Sequence, residues 1–134
     1  MRYCKQRLVN ECGPVGVLNA MKWLGYPATY AKDIPVLREL TGFDPDSGID
    51  LIGVSTALTA MGIPYRSKKE PIANYLLYDH LMAGGALLVS YLQHPHSRQG
   101  HLDFFFGSYM KPKFRGMIGA YNIEQVWYLK RSKK

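Results

Sequence analysis

The chain has 134 residues, 47% of them hydrophobic and 20% charged, which suits one soluble globular domain with a buried core. Its densest apolar run, "GGALLVSYL", falls well short of the ~18 residues of a membrane span, and "MRYCKQRLVNECG" lacks the apolar stretch of a secretory signal. A cytoplasmic location is therefore expected, and the net charge of +7 leaves room for an acidic partner.

In chain order, the first element is a helix opening at Cys12 or just beyond. Val17, Leu18, Met21 and Leu24 recur at helical spacing, Pro14 suits the first turn, and Gly25 supplies the stop. A second helix is predicted over "AKDIPVLRELTG", with Leu37 and Leu40 on its apolar face. A third covers "GIDLIGVSTALTAMG", capped by Ser47 or Asp50 and ended by Gly62. "IPYRSKK" reads as a short exposed strand, and "ANYLLYDHLMAGG" as a further helix closed by Gly84 and Gly85. Then "ALLVSYLQ" reads as a buried strand, "HPHSRQG" as a loop and "HLDFFFGSYM" as a second strand. After a turn at "KPKFRG", "MIGAYNI" is a third strand and "IEQVWYLKR" a closing strand or short helix. Helices followed by an antiparallel sheet make an α+β domain, with N-terminal helices packed on the sheet. One domain spanning residues 1–134, with a basic tail at 130–134, is the expected organisation.

Cys4 and Cys12 stand eight residues apart, too close for a disulfide to add much, so both are expected to be free thiols. Cys12 lies at the start of a helix, where unpaired N–H groups favour a thiolate and can face a developing oxyanion. Gly13 leaves space for a substrate beside the sulfur. The competing reading of Cys12 is a small buried hydrophobe. A nucleophile also needs a base, and the chain has His80, His94, His96 and His101. His101 opens a strand after a glycine, at the edge of the sheet; His80 lies in a helix and the other two in a Pro-containing loop. Asn122 and Asp103 are the candidates for holding the imidazole in place.

The residues "QRLVNECGP" resemble the active-site signature of papain-like cysteine peptidases of the bacteriocin-processing type, the double-glycine leader peptidases. Gln6, Glu11, Cys12 and Gly13 match in spacing, with Glu in place of the commoner Asp. "VGVLNAMKWLGY", "SGIDLIGVSTALTAMGIPYRSKK", "GGALLVSYLQ" and "GHLDFFFG" are similar to further segments of that family, so the resemblance covers nearly the whole chain. It implies a papain-like fold, Cys12 as nucleophile, His101 as general base and acid, and Gln6 as an oxyanion donor. Asn122 would be the orienting residue. The family ordinarily has Asp followed by Pro there, although papain uses Asn. No cofactor or metal is implied, and the expected partner is a peptide or small protein substrate, cut after Gly-Gly if the resemblance extends to specificity.

Three other readings compete. His94, His96, His101 and Asp103 are types that bind zinc, but that reading leaves Cys12 and Gln6 without a role. A catalytically silent papain-like domain that binds a protein partner is the main alternative. Nucleic-acid binding would use the basic second half, where residues 71–134 hold eight Lys/Arg against three acids, with Phe104, Phe105, Phe106, Tyr109 and Phe114 as stacking groups. Alternation places Phe104 and Phe106 on one face, where core packing is the simpler expectation.

Overall fold

The computed structural model describes residues 12–42, 51–69, 72–92, 100–106 and 122–131. The chain divides into two compact units, with the boundary between Pro64 and Tyr65.

The first unit holds α1 (Cys12–Trp23), α2 (Tyr30–Thr41) and α3 (Leu51–Ala60), each packed on the other two. In α1 every residue from Gly13 to Met21 is buried, including the polar Asn19. A helix enclosed on all sides needs small or apolar residues around its circumference, and "GPVGVLNAM" supplies them. Helix α2 starts at a reciprocal cap: the Thr29 hydroxyl accepts from the Lys32 N–H, and the Asp33 carboxylate accepts from the Thr29 N–H at 2.8 Å. It ends at Gly42, whose φ of 66° lets its N–H reach back to the carbonyls of Arg38 and Glu39. Helix α3 approaches the end of α2 so closely that Gly53 lies against the Thr41 backbone. The caps expected at Ser47 or Asp50 lie outside the described residues.

The second unit holds β1 (Arg66–Lys69), α4 (Asn74–Met82), β2 (Ala86–Leu92), β3 (Gly100–Phe106) and β4 (Asn122–Leu129). The strands form one antiparallel sheet in the order β1-β4-β2-β3. Helix α4 packs on β2, and Leu77 and Leu81 join Leu87, Val89, Tyr91, Phe105, Val126 and Tyr128 in a buried cluster. On the opposite sheet face Leu88, Trp127 and Leu129 are fully buried. The central strand β2 is apolar on both faces, as its near-continuous "ALLV" requires.

Two expectations change in detail. The stretch from Asn122 to Leu129 is one continuous strand, so "IEQVWYLKR" is not helical and Asn122 begins β4 rather than ending a separate strand. Of the three phenylalanines, Phe105 is the core residue. Phe104 and Phe106 share a face, as alternation requires, but are half-buried and stack on each other at 5.8 Å. "HPHSRQG" up to Gln99 and the stretch 107–121 lie outside the described residues.

Candidate active site

Cys12 is the first residue of α1 and a free, half-exposed thiol. The nine residues that follow it are buried, whereas the thiol itself is half-exposed. The first N–H groups of a helix have no backbone acceptor within it, and Pro14 sits in this turn, where a missing N–H forfeits no helical bond. The thiol thus begins a helix, next to N–H groups that the helix itself leaves without an acceptor. Gln6 and Cys4 lie outside the described residues.

His101 and Asn122 both belong to the second unit, at the same end of the sheet. His101 on β3 is in register with Tyr91 of β2, and Asn122 on β4 is in register with Leu92. Their strands flank β2, so their backbones are two interstrand spacings, roughly 10 Å, apart. They also stand one step apart along β2.

Asp103, the other candidate for orienting the imidazole, is half-buried two residues beyond His101, and its carboxylate accepts from the Tyr91 hydroxyl at 2.6 Å. Tyr91 is itself part of the buried cluster. This short bond ties β3 to β2 beside His101.

A bulge falls at the same end. The register of β4 on β2 shifts between Ser90 and Tyr91, so that Glu124 has no residue opposite it on β2. The Ser90 hydroxyl donates to the Glu124 carboxylate at 3.3 Å. Neither the bulge nor these two cross-strand bonds was marked in the sequence: the bulge slips the alternation of β4 by one residue, so that Ile123 and Val126, three apart, meet the same buried cluster, and no residue pattern announces it.

His80 has a different role from the other histidines. Its Nε2 lies 3.0 Å from the Ala86 carbonyl and 2.8 Å from the Leu129 carbonyl, and its ring meets Tyr128 edge-on. A nitrogen facing two carbonyls must carry the proton, so His80 fastens α4 to the first residue of β2 and the last of β4. Burial lowers its pKa below 6.5; the two carbonyl acceptors oppose that shift, while Lys130 and Arg66 add to it. Among the described residues no group of three or more His, Cys, Asp or Glu is placed to hold a metal ion. His94 and His96, invoked for zinc, lie outside the described residues, as do Tyr109 and Phe114.

Helices joined to a four-stranded antiparallel sheet of this kind constitute a papain-like α+β fold. The chain is similar in structure to the peptidase domain of Streptococcus ComA, described as a bi-functional ABC transporter involved in a quorum-sensing pathway. The TM-score is 0.69 at 19% sequence identity, over 97% of this chain and 100% of that domain. No family model and no curated protein matches the sequence. No helix among the described residues is long and apolar enough to cross a membrane.

Proposed function

We propose that this chain is a cysteine peptidase and that both compact units belong to one peptidase domain. The observation that carries the reading is the likeness to a peptidase domain along almost the entire length of both chains. The half-exposed thiol that opens α1 supports it. In the proposed reaction the Cys12 sulfur attacks the carbonyl carbon of a peptide or isopeptide bond. Gln6 and the Cys12 N–H stabilise the oxyanion. His101 takes the thiol proton and returns it to the departing amine as the C–N bond breaks, with Asn122 orienting the ring. Water then attacks the thioester, releasing the acid and restoring the thiol. No cofactor takes part. The substrate is a peptide or small protein met in the cytoplasm, and cleavage after Gly-Gly is the first specificity to examine.

Iodoacetamide labelling followed by mass spectrometry tests the thiol. At pH 6 an ordinary thiol is almost wholly protonated and slow. Cys12 is expected to label quickly there, and His101→Ala is expected to slow it. Cys12→Ala should lose all cleavage of a peptide library while keeping the wild-type circular dichroism spectrum, and Cys4→Ala should keep activity. If Cys12 labels like an ordinary thiol and no peptide is cut, the chain is a papain-like binding domain instead.

A further inference from the structure

Strand β1 is one of the two edge strands of the sheet, and all four of its residues are exposed. One edge pairs with β4; among the described residues no strand lies on the other. An antiparallel strand turns alternate N–H and C=O groups away from its partner, so that edge can template a further strand. Its sequence, "RSKK", puts three cations in four residues. Lysines on an edge oppose pairing with another cationic strand, a second copy of β1 included, and the same charges favour an acidic strand.

Beside this edge is a cavity of about 500 Å³ lined by Arg66, Ser67, Lys68, Leu76 and Tyr128. Register sets Arg66 opposite Tyr128 and Lys68 opposite Val126, so these two cationic side chains share the α4 face of the sheet, while Lys69, opposite Gln125, belongs to the other. The Arg66 guanidinium carbon sits 5.0 Å over the Tyr128 ring, which holds it in place. Leu76 and Tyr75 of α4 are exposed large apolar residues. On the other face the Gln125 amide donates to the Ser67 hydroxyl at 2.6 Å, anchoring β1 in the sheet. The cleft therefore joins a cationic wall, an apolar wall and a strand edge.

We propose that β1 and this cleft bind an extended acidic peptide segment as a fifth strand of the sheet. The peptide backbone pairs with the outer edge of β1. Its acidic side chains meet Arg66 and Lys68, and apolar ones lie against Leu76 and Tyr128. A nucleic acid could use the charges, but would leave the strand edge unpaired, which is why the peptide is the favoured ligand. The described residues that line this cleft include none of those assigned to peptide cleavage, so the proposal holds whether or not Cys12 is reactive.

The test is fluorescence anisotropy of the full chain, at low salt, with a short fluorescein-labelled peptide of repeating Asp-Thr-Val-Thr, which sets Asp and Val together on one face of the strand. Binding is expected, and Arg66→Glu with Lys68→Glu should weaken it about tenfold or more. Lys68→Glu alone keeps the Arg66–Tyr128 stack and serves if the double variant misfolds; it should weaken binding by a smaller factor. Methylating alternate peptide amides should abolish binding, because only strand pairing needs those donors. Failure of the wild-type chain to bind, or equal binding by the charge-reversed chain or the methylated peptide, overturns the proposal. Tighter binding of oligothymidylate, lost on the same charge reversal, would overturn it in favour of nucleic acid.

Discussion

Gly85 is the position where the addition of one carbon should do most damage to the second unit. A Cβ there would collide with His80 Nε2, and would stand 2.7 Å from both Cδ2 and Cε1 of the same ring. The ring cannot yield cheaply. Its Nε2 faces the carbonyls of Ala86 and Leu129, and Tyr128 closes on it at 5.1 Å. Turning it away would leave those two acceptors without their shared donor. Overpacking costs about 1–3 kcal/mol and the lost hydrogen bonding about 1 more, so Gly85→Ala should destabilise by about 2–4 kcal/mol. For a chain of this size that lowers Tm by roughly 10 °C, measurable by circular dichroism. Gly84→Ala separates collision from backbone strain: φ there is 91° with nothing within 4 Å of the new carbon, so only the left-handed penalty of about 1–2 kcal/mol applies. Because the collision is with His80, the double variant His80→Ala/Gly85→Ala should cost less than the sum of the two single variants. A Gly85→Ala chain that melts like the wild type, or strictly additive costs, would refute the argument.

Four further outcomes are expected. Gly53→Ala would drive a Cβ into the Thr41 carbonyl oxygen, with the carbonyl carbon at 2.8 Å; backbone cannot swing aside as a side chain can, so urea denaturation should show a loss of about 2–4 kcal/mol. Acidification should destabilise the chain through His80. Its native pKa is lowered below 6.5, so between that lowered value and 6.5 the unfolded chain binds the proton and the native one does not. Its contribution to stability is complete above pH 6.5 and is lost as the pH falls through the native value. His80→Gln should flatten this part of the stability–pH curve, and an unchanged slope would place the acid sensitivity elsewhere. On the proposed mechanism, Asn122→Ala should lower kcat at least about a hundredfold with KM little altered, as loss of an orienting group does. Asp103→Asn should leave kcat alone and cost about 1–2 kcal/mol of stability by weakening its bond from Tyr91; the reverse pattern would transfer the orienting role to Asp103.

Much of the local structure was legible because its causes are local. Helix α1 begins at Cys12 and the helices stop beside Gly25, Gly42, Gly62 and Gly84, as the apolar spacing and the glycines required. The exposure of "RSKK" and the burial of "ALLV" followed from composition alone. Within the candidate site the helix-start position of Cys12 was readable for the same reason, and so was the strand that carries His101.

What the sequence determined by itself is the helices of the described residues, the glycines beside which they stop and the thiol that opens the first helix, since each depends on neighbours within a turn or two. The order β1-β4-β2-β3, the bulge beside Ser90 and the choice of Phe105 over its two neighbours for the core were decided only by tertiary pairing. So was the role of His80, whose acceptor at Leu129 is 49 residues away, and that of Ser90, whose partner Glu124 is 34 residues on. Alternation states that a strand has two faces; only the strands beside it and the helix across it decide what each face meets.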